Sequence, residues 1–229
     1  GKSLSLCHLA AMYIAQGRNV LYITLEMPEE EVANRVDANL FNTPIDNVPK
    51  IQKKNYLTNI KRLYKKFAGR LVIKEYPTSS AHAGHFRFLL KELEIKKNFK
   101  PEVLIIDYLG ICASARYKTG GINHSLYLKS VAEELRGLGQ EFKIPVWTAA
   151  QYNREGMGDG DADLDDIAES IGITHTADLV IGIHSNEELD NLNQYLFKQL
   201  KNRHGNINHF RRILIGVEKD KSKLYNLSE

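Results

Sequence analysis

Leu4, Leu6, Leu9, Ala10, Met12, Tyr13 and Ile14 recur at helical spacing and stop at Gly17, which predicts a helix at the start of the chain. The next run, Asn19–Glu26, is apolar and β-branched without alternation, the pattern of a strand buried on both faces. Pro28 suits a first helical turn and opens a helix to about Phe41. Thr43–Pro49 reads as a loop, Gln52–Phe67 as a basic helix, Leu71–Tyr76 as a short strand and His82–Lys97 as another helix. The alternation continues with a strand at Val103–Asp107, a helix at Ser125–Phe142 and strands at Pro145–Gln151 and Leu179–His184. Tyr195–Lys201, Arg211–Val217 and Lys223–Leu227 read as a closing antiparallel set. Strands alternating with helices imply an α/β fold: a mainly parallel sheet covered by helices on both faces, with a C-terminal antiparallel extension. No repeat, linker or low-complexity stretch divides residues 1–229, so one domain is expected.

Composition narrows the class. The 229 residues are 43% hydrophobic, enough for one large core, and no apolar run approaches the length of a membrane span. The opening residues carry no secretory signal, and Cys7 and Cys112 lie in apolar surroundings. A reducing, cytoplasmic setting is therefore expected. His82 and His85 form the tightest histidine pair, but without cysteine or acidic partners at ligand spacing zinc is rejected. The net charge of +3 is modest and unevenly placed. Lys50–Lys74 holds no acid, Glu155–Glu169 is acidic, and Lys198–Lys223 is basic again. This excludes a uniformly cationic DNA coat and leaves room for a small DNA footprint.

Candidate chemistry begins at Gly1-Lys2-Ser3, the second half of the phosphate loop G-x-x-x-x-G-K-[ST] at a helix start. Lys2 would reach phosphate oxygens, Ser3 would ligate Mg²⁺, and amides through Leu4 would face the anion. Such a triplet occurs by chance in about one chain in ten of this length, so alone it decides little. The first glycine of the motif and the strand before it are absent, so the chain is expected to be a fragment of a longer protein. Three strand ends add weight. Val103–Asp107 delivers one carboxylate at the end of an apolar strand, where Asp107 would hold Mg²⁺ opposite Ser3; an Asp there also simply starts a turn. Glu26 could deprotonate an attacking water, or cap the helix after Pro28. Gln151 offers an amide to sense the γ-phosphate. Arg35, on the helix after Glu26, fits the nucleotide or the subunit interface as well as it fits ordinary helix surface charge.

Ile23-Thr24-Leu25-Glu26-Met27, Ile106-Asp107-Tyr108-Leu109, Ala150-Gln151-Tyr152-Asn153-Arg154 and Lys201-Asn202-Arg203-His204-Gly205 stand in the order of the motifs of DnaB-type replicative helicases. With Trp147–Gln151 and Ile167–Ser170, the chain resembles that family over essentially its whole length, the phage branch in particular. The resemblance implies a RecA-like core, ATP with Mg²⁺, and a homohexameric ring with nucleotide between subunits. Lys2, Ser3, Glu26, Asp107 and Gln151 would serve it from one subunit. Lys201 and Arg203 match the family's lysine and arginine finger, which reach the neighbour's γ-phosphate; on residues alone they read more readily as solubilising charge on an exposed strand. A primase, a helicase loader and an N-terminal collar domain are further implications.

The family grips single-stranded DNA through channel loops with little sequence preference. The matching segments are Ser114–Gly121, with Arg116 and Lys118 as phosphate contacts, and 153–172, with Arg154, Glu169, Ser170, Ile171 and Gly172. The acidic residues Asp159–Asp166 depart from the more basic loop of bacterial members and leave that portion's DNA role open. Two readings compete with the helicase motor: a RecA-type recombinase or other non-helicase RecA-like ATPase, and a non-hydrolysing ring that only encloses DNA. Lys201-x-Arg203-x-Gly205 and Leu25-Glu26-Met27 favour the motor over the first, and Glu26 argues against the second.

Overall fold

The computed structural model describes residues 1–118, 122–151 and 171–227. Its first half is a parallel sheet in the order β2-β1-β3-β4, formed by β1 (Val20–Thr24), β2 (Leu71–Glu75), β3 (Val103–Asp107) and β4 (Val146–Thr148). Thr24 lies in register with both Glu75 and Asp107, so three strands end level. Every residue of β1 and β3 is buried, as expected for central strands covered on both faces.

Alternation along the strands sorts two cores. Leu21, Ile23, Leu104 and Ile106 face α4 (Ala83–Lys97) and α5 (His124–Phe142), meeting Phe86, Leu90, Val131 and Leu135. Val20, Tyr22, Val103 and Ile105 join the opposite core with α1 (Lys2–Ala15) and α2 (Glu29–Phe41), where Cys7, Ala10, Val32 and Val36 pack. The chain thus leaves β1 toward one face and β3 toward the other. That divergence opens a crevice at the carboxyl ends of adjacent strands, the usual ligand position in open α/β sheets.

The second half is an antiparallel sheet in the order β5-β6-β7-β8: β5 (Leu179–His184), β6 (Gln194–Asn202), β7 (Arg212–Glu218) and β8 (Lys223–Asn226). The antiparallel extension is as expected, and β5 is part of it. Leu4, at the start of α1, packs on Tyr195 and Val217 and ties this sheet to the first half. A second tie joins α1, α2 and β8. His8 Nδ1 accepts from Leu224 N–H, and Asn39 Nδ2 donates to the Ser222 carbonyl at 2.6 Å.

Several local expectations change. The expected loop at 43–49 contains a 3-10 turn, Ile45–Lys50, introduced by Pro44. β4 is shorter than expected, because beyond Thr148 the Ala149 carbonyl turns to accept from Leu109 N–H. Two short helices, α6 (Ile171–Thr176) and α7 (Glu187–Asn191), were not anticipated. At six and five residues they carry too few turns to show a period. α3 (Lys53–Phe67) is the expected basic helix. The histidine pair has a local role: His82 Nδ1 accepts from Gly84 N–H and His85 Nδ1 from His82 N–H, capping α4. None of the described helices is long and apolar enough to cross a membrane.

Candidate functional site

At the start of α1 the N-cap, Gly1, makes no side-chain cap bond and the first turn holds no acid, so neither occupies the N–H groups of that turn. Ser3 is half-buried in the same turn. Leu4 is different: its side chain is 9% exposed and belongs to the core beside Tyr195, so only its backbone is available to a ligand.

Lys2 turns toward the strand ends. Its Nζ lies over the Tyr108 ring, 4.7 Å from the centroid. Burial lowers the Lys2 pKa, and the negative charges of Glu26 and Asp107 oppose that shift. The same two carboxylates, after burial, push the Tyr108 hydroxyl up. Lys2, Glu26, Asp107 and Tyr108 therefore share one electrostatic neighbourhood, although Glu26 and Asp107 come from strands far apart in sequence. Glu26 is exposed, two residues past the end of β1. Asp107 is fully buried. Its Oδ2 accepts from the Tyr22 hydroxyl at 2.9 Å, whereas Oδ1 makes no hydrogen bond among the described residues.

That orphaned oxygen bears on metal binding. A buried carboxylate oxygen left unpaired is costly unless something completes it. A hard cation such as Mg²⁺ takes one or two carboxylates alongside water and phosphate oxygens. Asp107 Oδ1 and the Ser3 hydroxyl are donors of the right kind, and the residues fit the group. Tyr22 holds the other oxygen and is itself locked: Cys7 Sγ donates to the Tyr22 hydroxyl at 3.8 Å, and burial pushes the Cys7 thiol up to about 12. Sequence reasoning missed Tyr22 and Tyr108. The register of β1 against β3, which pairs Tyr22 with Ile105, was the information needed to find the first.

Gln151 is exposed, two residues beyond Ala149, whose carbonyl meets Leu109 N–H just past Asp107. It lies three residues past the end of β4. Arg35, half-buried on α2, lies within electrostatic reach of Gly1 and Cys7 at the start of α1.

Lys201 and Arg203 are elsewhere. Gly1 abuts the Tyr195 ring near the start of β6, and Lys201 lies near the other end of that strand. Six residues of strand separate Tyr195 from Lys201, about 20 Å. The pair cannot meet a phosphate bound at Lys2 of its own chain. Instead Lys201 Nζ donates to the carbonyls of Thr174, at 2.6 Å, and His175, at 3.2 Å, in the last turn of α6. Arg203 donates to the His175 carbonyl at 2.8 Å and to the carboxylate of Asp178. Arg136, from α5, holds the other Asp178 oxygen at 2.8 Å. Asp178, Arg136 and the end of α6 were not anticipated.

The expected DNA contacts divide. Arg116 and Lys118 are exposed, but Arg116 is paired with Glu133 at 2.8 Å, and its backbone N–H turns back on Ser114 and Glu134. Gly172, the second residue of α6, lies against the Lys129 side chain, which a Cβ at position 172 would meet at 2.6 Å. Ile171 opens α6. Arg154, Glu169 and Ser170, with the acidic stretch, lie outside the described residues.

Comparison with known proteins gives this geometry a family. The profile of the DnaB-like helicase C-terminal domain matches residues 1–217. The DnaB-like replicative helicase of Enterobacteria phage T4 is 42% identical over all of this chain and 49% of its own length. The replicative DNA helicase DnaB of Haemophilus influenzae is 27% identical over 81% of this chain and 39% of its own. The chain thus spans about half the length of these curated relatives or less. Among solved structures, one ATPase domain superposes with a TM-score of 0.78 at 16% identity, covering 99% of this chain and 80% of that one. A DnaB-like replicative helicase studied with primase gives 0.78 at 15% identity, covering 100% and 57%. A strand-end cluster of lysine and two carboxylates, on a fold shared with a DnaB-like helicase and a sequence matched over 1–217, makes this chain a member of the DnaB-like helicase C-terminal domain family.

Proposed function

We propose that this chain is the motor domain of a ring-forming replicative helicase that hydrolyses ATP at subunit interfaces to move along single-stranded DNA. One observation carries the reading. Lys2, Glu26 and Asp107 share one neighbourhood, while the two cations suited to a γ-phosphate sit about 20 Å along β6 from Tyr195 and Gly1. A lysine and two carboxylates gathered in one place, with the candidate γ-phosphate cations held apart from them, fit the logic of a subunit-interface ATPase.

Each residue then has a distinct task. Lys2 and the amides of the first turn of α1 bind the phosphates. Ser3 and Asp107 would hold Mg²⁺, which when bound offsets charge on the phosphate oxygens. Glu26 orients the attacking water and takes its proton. Gln151, past the end of β4, senses the γ-phosphate, and Arg35 contributes positive charge at the start of α1. Lys201 and Arg203 complete the neighbour's site, where a planar guanidinium spreads over developing charge better than an ammonium can. Backbone amides and side chains of the segments 114–121 and 153–172, among them Arg116, Lys118, Arg154, Glu169, Ser170, Ile171 and Gly172, would meet the DNA backbone. A homohexamer, a primase and a helicase loader are the partners this reading brings with it, and the relative studied with primase supports the second.

The test is ATP turnover by the full-length protein with and without single-stranded DNA, for wild type and Glu26→Gln. Stimulation by DNA is expected. Loss of the general base should lower kcat by about 10²–10⁴-fold while nucleotide binding persists. Wild-type turnover in Glu26→Gln would remove the catalytic assignment.

A further inference from the structure

We infer that Asp178, braced by Arg136, is a positioning residue for the Lys201–Arg203 pair, and that it presents these cations as one unit to the neighbouring subunit's phosphate. This rests on the trans role given to Arg203 above and extends it to groups with no assigned part.

The geometry is specific. Asp178 bridges two guanidiniums, taking Arg136 on Oδ2 and Arg203 on Oδ1. Its carbonyl accepts the Arg203 backbone N–H at 2.8 Å, so main chain and side chain of one residue fix main chain and side chain of the other. Arg136 also donates to the Thr176 carbonyl at 2.7 Å. Lys201 and Arg203 take the preceding carbonyls of the same helix end, Thr174 and His175. α5, the end of α6 and the end of β6 are thereby joined through one carboxylate and three successive carbonyls.

An isolated surface ion pair is a weak restraint. Here the partners are main-chain carbonyls at fixed positions, and the donors share a planar fork, so the restraint is directional. The charge balance also fits the task. Lys201 and Arg203 repel each other, and the charge of Arg203 adds to burial in lowering the Lys201 pKa, while Asp178 opposes it. Burial works against the Asp178 charge, yet Arg136, by hydrogen bond and charge, and then Arg203 and His204 hold it below the usual aspartate range. When Arg203 leaves for a phosphate, Arg136 still neutralises Asp178. Release therefore does not strand a carboxylate, and return restores a preset geometry.

The experiment is steady-state ATP turnover, with single-stranded DNA, by the full-length ring carrying Asp178→Asn, Arg203→Ala or both. Asp178→Asn removes the charge with little change in size. Misplacing a transition-state group should lower kcat by about 10–100-fold with KM for ATP within about threefold. In the Arg203→Ala background the second change should have little further effect, because Asp178 bonds Arg203 directly whereas Lys201 is held by the Thr174 and His175 carbonyls. Asp178→Glu, which keeps the charge and assembles more safely, should show a smaller loss that also largely vanishes in that background. A purely structural Asp178 would multiply its loss onto Arg203→Ala and lower Tm equally in both backgrounds; that result overturns the inference. So does unchanged kcat in Asp178→Asn while Arg203→Ala is inactive. If Arg203→Ala itself turns over like wild type, the trans role of Arg203 fails first, and the two failures are told apart.

Discussion

At the scale of single residues, Asp107 shows how much of the site depends on a partner invisible in the motif. Its carboxylate is fully buried, with one oxygen held by Tyr22 and the other unpaired among the described residues. Tyr22→Phe keeps the ring and removes the hydroxyl, leaving both carboxylate oxygens and the Cys7 thiol without their donor and acceptor. Stability should fall by about 1–3 kcal/mol, measured by urea unfolding. If Asp107 holds Mg²⁺ through its free oxygen, Mg²⁺ should recover part of that loss in the presence of nucleotide. An unfolding midpoint equal to wild type would show that this hydrogen bond does not matter. Glu26, Asp107 and Gln151 could be proposed from a local signature, an apolar run and then one polar residue, and Lys2 and Ser3 from the Gly1-Lys2-Ser3 triplet. Tyr22 could not be, since a tyrosine in a buried strand looks like any other core aromatic until its neighbour strand and register are known.

At the scale of elements, the strands and long helices followed from apolar spacing, and β3, β5 and the α2 terminus match it closely. The misses have common causes. α6 and α7 are shorter than two helical turns, and β4 ends early because its continuation bonds to the segment after Asp107. The seam joining α1, α2 and β8 is equally non-local. His8 accepts there from Leu224 N–H through Nδ1, and burial, then the nearby Lys223 charge, lowers its pKa. The sign follows from linkage. A histidine with a lowered folded pKa is neutral in the native state while the unfolded chain binds the proton first. Its contribution is therefore complete above the unfolded value of 6.5 and is lost as pH falls from there through the folded pKa. Chemical denaturation between pH 7.5 and about 5 should show stability falling faster in wild type than in His8→Gln. Equal slopes would mean His8 does not report on the seam.

At the scale of the whole molecule, the proposed reading assigns the two sheets the two halves of one site. The parallel sheet gathers a lysine and two carboxylates at its strand ends, and the antiparallel sheet carries a lysine and an arginine to its far end. On that reading the chain is incomplete alone and complete beside a copy of itself, so turnover should depend on assembly. The sequence could suggest each half, but the separation between them is a property of β6 as a rigid spacer and appeared only with the fold. The most direct measurement mixes full-length Lys2→Ala protomers with Arg203→Ala protomers, each strongly impaired alone, with exchange into common rings verified by native mass spectrometry. Hybrid interfaces pair an intact Lys2 with an intact Arg203 from the neighbour, so DNA-stimulated ATP hydrolysis should return on mixing. Verified mixed rings that stay as impaired as either parent would contradict the shared site.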